Sequence, residues 1–188
     1  IDRTWPTKAP AWADAIRSRT QAYRAVWTKE SRLRDAESKS DDLPRVRLTI
    51  EHQTPTATGR DDVEIELFEN QAPQTVANFI DLIERGFYTG TRFHWAEAAG
   101  IAAGGDPNTK NADPADDGTG GPGYSIADEF ERPDARPHLR GSVSMLEQSP
   151  GTAGSQFFIE LIPHPQMDGQ VTVFGRVIRG MEGVDRIT

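Results

Sequence analysis

Residues 142–175 constrain this chain more than any other stretch, because they are β-rich and largely apolar yet broken at the middle by Ser149-Pro150-Gly151-Thr152-Ala153-Gly154-Ser155. The stretch opens as Ser142-Val143-Ser144-Met145-Leu146 and resumes as Gln156-Phe157-Phe158-Ile159-Glu160-Leu161, whose alternation and aromatic, β-branched content predict a half-buried strand. Met167-Asp168-Gly169-Gln170 then leads into Val171-Thr172-Val173-Phe174-Gly175, and an Asp-Gly pair between two such runs is a strong hairpin signal. The expectation is a meander of three strands, with the rest of the chain built around it.

Upstream, Val46, Leu48 and Ile50 alternate along 45–50, as do Val63, Ile65 and Leu67 along 62–68. With Pro55 and Gly59 between them, the two runs predict an antiparallel hairpin with a long loop over 51–61. A helix follows: Pro73 marks its first turn, Val76, Phe79, Ile80 and Ile83 form an apolar stripe, and Gly86 fits the position just past its end. Residues 1–44 differ in kind, being rich in Ala, Arg, Ser and Trp with no strand pattern. From Pro10 to Lys39 the apolar residues Trp12, Ile16, Tyr23, Val26 and Trp27 recur at helical spacings, which predicts one amphipathic helix or two. Residues 38–44 then form a polar linker ending at a proline. Trp5, Trp12 and Trp27 are three of the four tryptophans of the chain, so they are expected to pack on the main domain or to serve a protein partner.

Charge separates the same two regions. Residues 1–44 carry nine Lys/Arg against seven Asp/Glu, and residues 45–188 twelve against twenty-two, so the extension is at +2 and the main domain at −10. That balance argues against binding a nucleic-acid backbone. No apolar run approaches the roughly 18–20 residues that span a bilayer, so no membrane partner is expected. The absence of cysteine excludes disulfides and thiolate metal sites and says nothing about compartment, so localisation stays open. Among 107–117, Asp106, Asn108, Asp113, Asp116 and Asp117 raise a calcium reading, but Lys110 falls where an oxygen ligand belongs and Asn111 occupies the glycine position. No metal site is assigned. The glycine-rich run 118–123 lacks the strand-to-helix context and the following Lys-Ser/Thr of a phosphate loop.

Gly154-Ser155-Gln156-Phe157-Phe158-Ile159, followed after eight residues by Asp168-Gly169 and then Val173-Phe174-Gly175, closely resembles the signature of the cyclophilin family of peptidyl-prolyl cis-trans isomerases. The resemblance continues through Phe93-His94, Gly104-Gly105-Asp106, Gly118-Thr119-Gly120-Gly121 and Phe130, and covers roughly residues 45–185. It implies an all-β fold: a closed antiparallel β-barrel of about eight strands with two capping helices, here preceded by the helical extension. The domains expected are 1–44, extension and linker, and 45–188, barrel. Cyclophilin-like chains continue after the element matching 180–187 into a strand that closes the barrel on the first strand. This sequence stops at Thr188, so either residues beyond it supply that strand or an edge beside 45–50 needs another cover, for which the extension is the best local candidate.

The reaction the resemblance implies is rotation about an X-Pro bond, whose barrier of about 18–20 kcal/mol comes from amide resonance. It needs no cofactor and no nucleophile. A pocket must grip the proline ring, and a donor must favour the pyramidal imide nitrogen of the twisted transition state. The family places an arginine for that purpose directly after Phe-His; here the position is Trp95. An indole N–H is one neutral donor where a guanidinium has five and a full charge. Losing one preorganised donor costs about 2.7–4 kcal/mol, so isomerase activity is expected to be weak or absent. Arg92 is not expected to substitute, since in a strand it shares a face with His94, opposite Phe93 and Trp95.

By the same resemblance the substrate-binding positions are Ile101, Ala103, Leu146, Phe158, Met167 and Val171, with Gln156 retained beside them as a catalytic-site residue. Ile101 stands for a methionine, Ala103 for a glutamine, Leu146 for an alanine, Met167 for a leucine and Val171 for a histidine. Gly100 replaces a pocket phenylalanine, and Gln166 replaces a large residue. Trp95 is expected to fill the space that these losses open. Ile101, Phe158 and Met167 also read as plain core, and His94 and His164 as packing or surface residues. Gln156 reads equally as a structural hydrogen-bonding group or a substrate contact. The function expected is isomerisation or binding of X-Pro segments of proteins; the competing class is a catalytically silent scaffold or interaction module.

Overall fold

The computed structural model describes residues 11–53, 58–96 and 100–187, with side chains from residue 17 onward. Trp5 and Pro55 lie outside the described residues, as do the side chains of Trp12 and Ile16. The chain divides into two compact units, Ile1–Asp42 and Leu43–Thr188.

In the first unit the helical periodicity produces a single unbroken helix, α1, Ala11–Ser40. Arg34 holds it together one turn apart, with Nε 2.8 Å from Glu30 Oε1 and the guanidinium 5.1 Å from the Trp27 ring. The helix ends where Asp41 adopts a left-handed conformation, φ 50°, and donates its N–H to Glu37 O at 2.9 Å. Aspartate is among the few non-glycine residues that tolerate that conformation. Tyr23 and Trp27 are both exposed.

The second unit opens at Leu43, which is buried with Phe68 and Val173. Strands β1 (Arg45–Gln53) and β2 (Thr58–Leu67) pair antiparallel along their whole length, with Val46 opposite Ile65 and Leu48 opposite Val63. The expected hairpin is thus present, with longer strands and only residues 54–57 between them. Helix α2 (Pro73–Glu84) starts at its proline and ends with Gly86 at φ +69°, whose N–H bonds Ile83 O. Of its stripe Val76 and Phe79 are buried, but Leu82 rather than Ile83 completes the inner face. The remaining elements are β3 (Trp95–Ala96), β4 (Ile101–Gly104), β5 (Ser142–Met145), β6 (Phe157–Glu160), β7 (Val173–Arg179) and the short helix α3 (Met181–Asp185).

All seven strands form one sheet in the order β1-β2-β7-β5-β6-β4-β3. This corrects the expected meander. β5 lies between β6 and β7 and pairs with both, and no β6–β7 hairpin forms at Asp168-Gly169. The local turn signal is overridden because the Asp168 carboxylate accepts the His138 N–H at 2.8 Å, which ties the 164–171 segment to another part of the chain. Every ladder is antiparallel, and the end strands β1 and β3 do not pair with each other among the described residues, so the sheet is curled with seven strands where the resemblance implied a closed barrel of eight. Among the described residues β1 has a ladder with β2 alone.

Inside the curl sits the main core, where Val63, Ile65, Val143, Met145, Phe157, Ile159 and Phe174 meet Val76 and Phe79 of α2. Phe79 centres an aromatic group, with Tyr88, Phe157 and Phe174 centroids at 5.1, 5.6 and 5.0 Å. Gly175 lies against the β2 backbone: a Cβ there would stand 2.9 Å from Glu66 O, so β7 can pair with β2 at this point only without a side chain.

Candidate active site

β6 was expected to be half-buried, but all four of its residues are buried. Phe157 and Ile159 face the main core; Phe158 and Glu160 face the opposite side. On that outer face Ile101, Ala103 and Phe158 form a second apolar cluster, and Leu146, Met167 and Val171 pack against it. These are the six residues named as substrate-binding positions from the sequence. Three elements converge on them: β4 supplies Ile101 and Ala103, β6 supplies Phe158, and Met167 comes from the turn Pro165–Met167. Register explains the alignment, since Ala103 sits directly opposite Phe158, and directly opposite residues share a face.

Trp95 extends the same row. It is opposite Ala103 at the β3–β4 ladder, which places it on the face of the apolar cluster. Trp95 is nevertheless 48% exposed, so it is not enclosed in the groove as expected. The alternation assumed for 92–95 also fails. Among the described residues Trp95 and Ala96 join the ladder, while Phe93 packs into the main core at 6.2 Å from Phe157. The Arg92 backbone forms an isolated antiparallel β-bridge with Asp106. Gly100 is buried, and its carbonyl accepts the Leu161 N–H at 2.9 Å.

Gln156 lies at the side of this row. Its Nε2 donates to Gly118 O at 3.0 Å and Gly120 O at 2.7 Å, so both amide hydrogens hold the glycine-rich turn. Asp106, fully buried, holds the other side of that turn by accepting the Gly120 N–H at 3.1 Å. The acids of 107–117 serve as local caps: Asp113 accepts from Ala115 N at 3.0 Å and Asp116 from Asn111 Nδ2.

The sequence did not single out what lies beneath Phe158. The rings of His138 and Phe158 are nearly parallel, at 14° with centroids 6.5 Å apart, and His138 Nδ1 lies 2.5 Å from Glu160 Oε1. Both side chains are fully buried. Ser144 Oγ donates to the same carboxyl oxygen at 3.2 Å, and His138 Nε2 lies 3.2 Å from Val171 O. Burial pushes the Glu160 carboxyl up, opposed by the hydrogen bond and charge of His138. The only sequence signal was a glutamate inside an apolar strand, which alternation reads as a solvent-facing position.

A buried apolar cluster on the outer face of β4 and β6, beside a glycine-rich turn and with no nucleophile among its residues, suits contact with an apolar ring rather than making or breaking bonds. The model of the family described as cyclophilin type peptidyl-prolyl cis-trans isomerase/CLD matches residues 49–188. The chain belongs to the cyclophilin family. Curated relatives agree: a peptidyl-prolyl cis-trans isomerase of Helicobacter pylori is 39% identical over 132 residues, covering 69% of this chain and 76% of the relative. Peptidyl-prolyl cis-trans isomerase B of Bacillus subtilis is 42% identical over 120 residues, covering 64% and 78%. Among solved structures, a Cryptosporidium parvum cyclophilin type peptidyl-prolyl cis-trans isomerase, determined in the presence of the dipeptide Ala-Pro, superposes with TM-score 0.58 at 35% identity over 66% of this chain and 77% of that one. Residues 49–188 are therefore a cyclophilin-type peptidyl-prolyl cis-trans isomerase domain, with the mostly-β fold of that family.

Proposed function

We propose that this cyclophilin domain binds proline-containing polypeptide segments in the cluster of Ile101, Ala103, Leu146, Phe158, Met167 and Val171, and isomerises them slowly. The observation that carries the reading is the row Trp95–Ala103–Phe158 across β3, β4 and β6. Its floor is buried and apolar, as a proline ring requires. Its outer end carries an indole where the family has a guanidinium. Apolar contact with the ring is about equal in the planar and twisted states, so the floor contributes binding without acceleration. Acceleration depends on a charged donor aimed at the imide nitrogen, and Trp95 offers one neutral N–H.

Gln156 enters this reading as the residue that fixes the Gly118–Gly120 turn beside the pocket, because its two donors are already engaged there. The relative determined with Ala-Pro supports the ligand class. The exposed Trp95 also favours a second reading, a proline-peptide-binding module with no turnover. Titration of a labelled domain with an Ala-Pro-containing tetrapeptide, followed by a protease-coupled isomer assay on the same peptide, tests both. Shifts centred on Phe158 and Met167, with turnover at least about a hundredfold below a family member bearing the arginine, are expected. Peptide binding that leaves Phe158 and Met167 unshifted would refute the pocket assignment.

A further inference from the structure

The His138–Glu160 pair is a buried titratable group that the reaction does not use, and its protonation can be worked out. His138 Nε2 faces the Val171 carbonyl at 3.2 Å, an oxygen that only accepts, so Nε2 carries a proton. The 2.5 Å contact between Nδ1 and Glu160 Oε1 needs one more, on one of the two atoms. Whether that proton sits on nitrogen or oxygen, the pair is neutral as a whole, which is the condition for keeping it in a site with no exposure.

Every group that His138 holds belongs to the pocket or its support. The ring lies parallel to Phe158. Nε2 takes Val171 O, and the backbone N–H takes Asp168 Oδ1 at 2.8 Å. Its carbonyl accepts the His164 N–H at 3.0 Å, and the His164 carbonyl in turn accepts the Met167 N–H at 2.9 Å. Phe158 lies on β6, whereas Met167 and Val171 lie in the 164–171 segment outside the named strands. The His138 ring spans from Phe158 to Val171 O, its backbone ties the same segment at Asp168 and His164, and Glu160 with Ser144 fixes the orientation of the ring.

Resting on the pocket assignment above, we propose that His138 and Glu160 are positioning residues for proline-peptide binding: the hydrogen-bonded pair holds Phe158 and the 164–171 wall at the spacing that admits the proline ring. Ring fit in an apolar pocket is sensitive to shifts of the size of a methylene, worth about 10–200-fold, and binding carries this effect because the ring is gripped alike in both isomerisation states.

The test is the affinity of the folded domain for the dipeptide Ala-Pro, measured by chemical-shift titration in the wild type, Glu160→Gln and Glu160→Leu. Glutamine can donate to Nδ1 while Nε2 keeps its proton, so Glu160→Gln is expected to bind within about twofold of the wild type. Glu160→Leu, unable to orient the imidazole, is expected to bind about tenfold more weakly. Should Glu160→Leu fail to fold, exchange of the His138 Nε2 proton in the wild type decides the matter. By linkage, saturating Ala-Pro must suppress opening of the pair by the same factor of about ten. A wild type that does not bind Ala-Pro overturns the pocket assignment itself. A wild type that binds, with Glu160→Leu binding equally well or with Nε2–H exchange unmoved by ligand, overturns the role of the pair and leaves the pocket standing.

Discussion

Phe158 and Trp95 stand in one row of the sheet, two strands apart, and could hardly be held more differently. Phe158 is buried on a central strand, with a strand on either side and the His138 ring beneath it. Trp95 is on the end strand β3 and about half exposed. The contrast separates two requirements of an isomerase. A ring-gripping floor is also a packing unit, so stability alone maintains it. A donor at the rim is maintained only by catalysis, and replacing it leaves the fold intact. On the proposed reading, this accounts for a floor that is assembled while the position of the rim donor departs from the family pattern.

The contrast can be broken by mutation, and the largest effect is expected at the floor. Phe158→Ala should lower stability by about 3–5 kcal/mol, read from denaturant unfolding, because the cavity lies between a strand and a buried polar pair. A loss near 1 kcal/mol would mean that the floor collapses freely and is not the rigid partner in the comparison. Beside the floor, Gln156→Leu should cost about 1–3 kcal/mol by leaving the carbonyls of Gly118 and Gly120 unmatched. Faster amide exchange around Gly120, with the main core unchanged, would locate that loss in the turn. At the rim Trp95→Ala should stay within about 0.5 kcal/mol of the wild type in the same unfolding experiment.

A pH effect sharpens the comparison at the smallest scale. Glu147, directly after the pocket residue Leu146, is pushed up from 4.5 to about 7 by partial burial and then by the neighbouring Asp128 carboxylate. Its proton is held more tightly in the folded protein than in the unfolded chain. The sign follows: between about pH 4.5 and 7 the folded state binds more protons, so stability should fall as pH rises through that window. Glu147→Gln should flatten this slope, and a wild type whose unfolding midpoint rises over the same range would contradict the assignment.

Much of this arrangement was legible in the sequence. Alternation at Val46, Leu48, Val63 and Ile65 predicted the ladder that pairs them, and Pro73 with Gly86 bracketed α2. Family resemblance named six positions that meet in one cluster. What escaped was non-local. The Asp168-Gly169 turn signal was sound as a local statement, but the carboxylate is bonded to the His138 backbone and β5 takes the place beside β7. Glu160 looked like a solvent position because no local pattern announces that a histidine twenty-two residues earlier will bury it. Trp95 was expected to be enclosed on volume alone, whereas it is about half exposed at the end strand, and no local pattern announces which strand ends the sheet.

The central claim, that the floor binds while the rim limits the rate, is tested most directly by two-dimensional exchange spectroscopy. One Ala-Pro-containing peptide is followed with catalytic amounts of wild type, of Trp95→Arg, and of a family member that carries the arginine. Wild type should catalyse cis-trans exchange at least about a hundredfold more slowly than that relative. Trp95→Arg should recover part of the gap and not all of it, because Gly100 and Ala103 still depart from the family pattern. A wild-type rate equal to that of the arginine-bearing relative would contradict the account.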